Sequence, residues 1–167
     1  MNTPLKETIL EIITSDIVDQ TYLKLSHGMK LNQSVSSFLK TLDKELNSDE
    51  FKSKGVSAAA QLQKATIEVQ TPHGKAVGIV EHVNVDDKLA ARVAFSAIRV
   101  GADGTTSAIP ILSLIITGHG FLTGINDGIL NDSYRLTEDG IVFEICLILL
   151  SSLQDKLPKV SEEGNRY

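Results

Sequence analysis

The chain has 167 residues, 42% of them apolar and 5% aromatic, with one cysteine, no tryptophan and a formal net charge of −5. That is one domain's length with apolar material for its own core, which excludes a wholly disordered chain, a disulfide scaffold and a collagen-like repeat. Sixteen basic against 21 acidic residues, the densest basic pair being Lys52 and Lys54 beside Asp49 and Glu50, leave no basic stripe, so no nucleic-acid partner is expected.

Taken in chain order, residues 1–64 read as helical. Met1 to Leu10 carries Lys6 and Glu7 and does not have the apolar core of a secretory signal. Thr3 followed by Pro4 reads as a helix cap with proline in the first turn, and Leu5, Ile9, Ile12, Ile13 and Ile17 recur at helical spacing. The stripe continues less regularly through Val18, Tyr22 and Leu25 until His27 and Gly28 supply a stop. A second helix follows, with Val35, Phe38, Leu39, Leu42 and Leu46 on one face and an end at Asn47 and Ser48. A third, weaker helical segment starts at Ser48 and resumes from Ser57 to Gln63 after Gly55 interrupts it.

From Ala65 the apolar period changes to two, the signature of strands. Ile67 and Val69 alternate with polar neighbours before the turn Thr71-Pro72-His73-Gly74. Val77, Ile79, Val83 and Val85 then share one face, Asp86-Asp87-Lys88 turns the chain, and Leu89, Ala91, Val93, Phe95 and Ala97 share a face on the return. Ala108 to Thr117 is apolar on both faces, which suits a strand covered on both sides. A loop with glycines at 118, 120, 124 and 128 follows. Tyr134 and Leu136 are then expected to pair across Thr137 to Gly140 with Ile141, Phe143 and Ile145, while Cys146 to Leu157 fits either a strand or a short helix.

The short connections require antiparallel neighbours. The expected fold is α+β: two or three N-terminal helices packed on a five- to six-stranded antiparallel meander, with a short C-terminal helix as an option. It forms one domain over 1–157, helical over 1–64 and sheet over 65–150, with a flexible tail at 158–167. Neither apolar run, 108–116 or 141–150, reaches the roughly 20 residues of a membrane-spanning helix, so a cytoplasmic location is expected.

No motif assigns chemistry. His27, His73 and His119 each precede a glycine and read as turn punctuation, although His119 follows the most apolar strand. His82 and Glu81 are neighbours in a strand and point to opposite faces. His82, His119, Asp127 and Tyr134 are the candidates for a catalytic pocket between helices and sheet, chosen for residue type and approximate location. No paired-cysteine or two-histidine motif, nucleophile elbow or phosphate loop is present, so no metal or cofactor is expected. Cys146 lies in an apolar run and reads as a core thiol. The aliphatic surplus favours a soluble, non-enzymatic binding or assembly module. Ile109, Ile111 and Ile115, set against Leu112, Leu114 and Ile116, form the expected contact face for a protein partner or a second copy. The other function considered is a membrane-active protein that inserts the hairpin over 75–100. Its alternation suits a barrel strand, but Arg92 and Arg99 lie on opposite faces of it.

Overall fold

A computed structural model describes residues 13–161. It contains three helices, α1 (Ser15–Leu46), α2 (Asp49–Lys52) and α3 (Ile141–Asp155). Its seven strands are β1 (Ser57–Gln61), β2 (Thr66–Thr71), β3 (Gly74–Val85), β4 (Lys88–Val100), β5 (Thr106–Thr117), β6 (Phe121–Ile125) and β7 (Gly128–Arg135). The expected Thr3-Pro4 cap lies outside the described residues, as do Leu5, Ile9 and Ile12.

The two expected N-terminal helices are one. Thr14 caps α1 by accepting a bond from the Ile17 N–H at 3.3 Å, and the helix then runs for 32 residues without a break. Gly28 does not stop it, because the His82 ring and Leu89 pack against the helix where a glycine side chain is missing. Leu31, Val35, Phe38, Leu39, Leu42 and Leu46 then bury the second half of α1 against the sheet. Asn47 ends the helix, and α2 serves to bury Phe51, whose ring lies 5.7 Å from that of Phe143.

All seven strands form one antiparallel sheet in chain order. The sheet exceeds the expected five or six strands at both ends. Residues 57–61 are strand rather than helix: a left-handed residue, Ala65 (φ 50°), reverses the chain and sets Ala58 and Ala60 opposite Val69 and Ile67. The glycine-rich loop is also a hairpin, β6–β7. Its turn residues Asn126 and Asp127 have φ of 53° and 62°, the two positive values of a tight type I′ connection that Asp86 and Asp87 repeat between β3 and β4.

The segment expected to pair with Tyr134 and Leu136 is instead α3. Gly140 enters it at φ 85°, and Val142, Ile145, Cys146, Leu149 and Leu153 are buried at helical spacing. α1 and α3 pack on each other and on the same face of the sheet, so one two-layer core holds the domain together. No helix among the described residues is long and apolar enough to cross a membrane.

The two edges of the sheet are finished differently. On β1, the Ala58 N–H donates to Asn47 Oδ1 at 2.9 Å and the Ala60 N–H to Asp43 Oδ2 at 2.7 Å, while Asn47 Nδ2 donates to the Ala58 carbonyl at 2.8 Å. Side chains at the end of α1 thus occupy the groups a further strand would use. At the other edge β7 pairs only with β6, and all its residues but Leu130 are exposed.

Candidate functional site

A β-bulge in β5 rearranges the expected contact face. Phe95 lies opposite Leu112 but Ser96 opposite Pro110, so Ile111 is the extra residue and the alternation reverses there. Ile109, opposite Ala97, therefore joins Leu112, Leu114 and Ile116 on the helix-covered side, and Ile111 is 7% exposed. Ile115, opposite Arg92 and Gly124, lies on the outer face. The three isoleucines do not share one surface.

The outer face carries the row that alternation groups together in β3. Ala94 and Ala90 lie opposite Ile79 and Val83, and Ile98 and Ile115 lie on the same face further along the sheet. Val83, Val85, Ala90, Ile115, Gly124 and Ile129 line a trough of about 540 Å³ there. Gly124 keeps it open, since a Cβ at that position would stand 3.0 Å from Ile115 Cγ1. At one end Arg92 donates to Glu81 (Nε to Oε1, 2.8 Å) and to Asp127 (Nη1 to Oδ1, 3.3 Å). These bonds, those to Glu81 first, push the guanidinium further above its ordinary pKa. One guanidinium faces two carboxylates, so the trough offers an apolar floor and a rim that keeps a net negative charge at this end.

The four catalytic candidates are not brought together. His82 lies on the helix-covered face opposite Ala91, and its Nε2 is 2.7 Å from Asn32 Oδ1. His119 sits between β5 and β6, its Nδ1 3.4 Å from Lys30 Nζ. Lys30 and Asn32 are two residues apart on α1, roughly 160° around the helix, so α1 stands between the two histidines. Asp127 is on the outer face with Arg92, and Tyr134 is on β7 opposite Leu122, 42% exposed.

His119 alone among them lines the cleft of about 690 Å³ between α1, α3 and the β7–α3 turn, with Ser34, Thr41, Arg135 and Glu138. Two of its hydroxyls are already engaged: Ser34 donates to the Gly118 carbonyl at 2.8 Å and Thr41 to the Ser37 carbonyl at 2.9 Å. Arg135 stacks on Phe121, 5.4 Å from the ring centroid. No three histidine, cysteine or acidic side chains are grouped to hold a metal ion among the described residues. Cys146 is fully buried, and burial, aided by the charge of Glu45, pushes its thiol up to about 12, far from a reactive thiolate.

The exposed apolar side chains among the described residues concentrate elsewhere. Ser15 to His27, the first half of α1, is exposed at every position. Half of the exposed large apolar side chains among the described residues fall between Ile13 and Met29, which locates the surface on this segment. Ile13 and Ile17 prolong the stripe that Leu31 and Val35 bury further along. Val18, Tyr22, Leu25 and Met29 form a second stripe, about 60° wide and roughly 120° away from the first. Their exposures run from 38% at Val18 to 68% at Met29. Sequence periodicity contains this stripe as the irregular continuation through Val18, Tyr22 and Leu25, a change of phase that distinguishes a second face from a weakening first one.

Neither the family models, nor the curated proteins, nor the solved structures compared with this chain gave a match.

Proposed function

We propose that the protein is a non-enzymatic interaction module whose contact element is the first half of α1, held out by a compact helix-on-sheet body. The observation that supports this most directly is the apolar stripe Val18, Tyr22, Leu25 and Met29, exposed over a segment in which no residue from Ser15 to His27 is buried. Exposed apolar patches of this kind mark protein contacts, because leaving four large side chains in water forgoes roughly 1.5–3 kcal/mol each. The absence of a shared location for His82, His119, Asp127 and Tyr134 gives the enzyme reading no comparable support. The hairpin over 75–100 is β3–β4, held in mid-sheet by β2 along the first half of β3 and by β5 along β4, and would have to leave both neighbours to enter a bilayer.

The double substitution Tyr22→Asp with Leu25→Asp tests the proposal. The variant is expected to fold with the same urea midpoint as the parent in dilute solution, because both side chains stand exposed among the described residues. A midpoint shifted as far as a core substitution shifts it would show the stripe to be covered internally, and the reading would fail.

A further inference from the structure

We infer that the partner of the exposed stripe is a second copy of this chain, joined to it through the first half of α1 in an antiparallel helix pair. The inference rests on the interaction-module reading and adds the identity and geometry of the partner. Three observations lead to it.

The first is spacing. Val18, Tyr22, Leu25 and Met29 are separated by four, three and four residues, the alternation that lets two helices pack side chain into gap. An antiparallel copy centred between Leu23 and Lys24 places Tyr22 against the partner's Leu25 and Val18 against the partner's Met29. Each contact thereby matches a shorter side chain with a longer one, and the two-fold axis makes every contact twice.

Charge is the second. The segment from Ile13 to Lys30 holds two aspartates, Asp16 and Asp19, and two lysines, Lys24 and Lys30. Asp19 and Lys30 lie on the same flank of the stripe, about 20° apart around the helix. In the antiparallel pair that flank meets its own copy in reverse, so Asp19 comes beside the partner's Lys30 and Lys30 beside the partner's Asp19. Lys30 is exposed and its neighbour, His119 at 3.4 Å, is a weak competitor for it. A parallel pair brings this flank against the opposite one, which carries Thr21 and Gly28, and forms neither ion pair. With no net charge and no run of basic residues, the segment also lacks the cationic face of a helix that lies on anionic membranes.

The third is room. The stripe faces roughly 120° away from the side of α1 that packs on the sheet, so the two bodies lie outside the helix pair, at opposite ends of it. In a parallel pair both bodies would follow the contact in the same direction and crowd each other.

Sedimentation equilibrium of the full chain across a concentration series is expected to show monomer and dimer, with Tyr22→Asp and Leu25→Asp abolishing the dimer. Asp19→Lys alone and Lys30→Asp alone should each weaken it roughly tenfold, and the two together should restore it. Under oxidation, a mixture of Tyr22→Cys and Leu25→Cys chains should give mainly the mixed disulfide. A chain that stays monomeric to about 1 mM overturns the inference. So does a dimer indifferent to Tyr22 and Leu25, or one in which the Tyr22→Cys chains or the Leu25→Cys chains link mainly to their own kind. Binding of the monomer to phosphatidylserine vesicles, lost with Tyr22→Asp and Leu25→Asp, would assign the stripe to a lipid surface and overturn it equally. If the dimer is absent while the aspartate variant keeps its urea midpoint, the second-copy inference fails and the interaction-module reading stands.

Discussion

Cys146 shows how far a single position can depart from what its chemistry suggests. Its sulfur is enclosed between α3 and the rest of the core, and Glu45 adds a nearby negative charge, so ionising it in place would put a thiolate in an apolar, acidic setting. The native thiol value, about 12, is above the ordinary 9.0 of the unfolded chain. The proton is therefore held more tightly in the folded state, the associated stability is complete below pH 9, and it is lost as pH rises from about 9 towards 12. Two measurements check this: the native thiol should resist iodoacetamide until the chain is unfolded, and the alkaline fall in urea midpoint should shrink in Cys146→Ala. Gly78 illustrates the opposite constraint, a residue defined by what it leaves out. A Cβ there would lie 2.6 Å from Phe95 Cε1 and 3.0 Å from Ile67 Cγ2, and both neighbours are fully packed. Gly78→Ala is expected to destabilise the domain by about 1–3 kcal/mol in chemical denaturation, since Phe95 can move only by displacing the layer beneath α1.

Among the elements, α1 joins a clamped half to an exposed one, and Gly28 sits at the boundary. Its backbone is helical, and a Cβ would meet the His82 ring at 3.4 Å, an ordinary contact. Gly28→Ala should therefore stabilise α1 by about 0.5–1 kcal/mol, read as a higher urea midpoint and slower amide exchange in the turns preceding residue 28. In the sequence the glycine reads as a stop because His27-Gly28 has the composition of a helix end. What composition does not carry is the tertiary contact with His82 and Leu89 that keeps the helix going. The central sheet, β2 to β5, is legible for a local reason: Asp86-Asp87 and Pro72-His73 are turn residues flanked by clean alternation. β6 and β7 are hidden because four glycines look like a loop, and a bulge opposite Thr123 breaks the alternation. α3 is obscured by excess rather than absence. Ile141, Leu147, Ile148 and Leu150 add apolar residues outside the buried stripe, and an all-round apolar run of this length carries no clear period. The bulge at Ile111 is signalled only by the adjacent Pro110, which cannot donate to a strand ladder, and it decides which isoleucines of β5 face outward.

At the scale of the molecule, the two outermost strands of the sheet differ in what they offer a neighbour. The β1 edge is closed by Asp43 and Asn47 and the β7 edge is exposed. Asp43→Ala with Asn47→Ala should release the Ala58 and Ala60 amides, cost about 1–3 kcal/mol for each bond lost from a partly buried group, and speed their hydrogen exchange. The same variant should raise thioflavin T fluorescence on prolonged incubation, whereas the parent should not. The reason is a matter of counting sockets. A chain that grows by edge joining needs a compatible edge at each end of every unit, and at β1 Asp43 and Asn47 fill that edge. Two side chains at the end of a helix therefore close one socket, and no neighbour can add a strand beside β1 while they hold it.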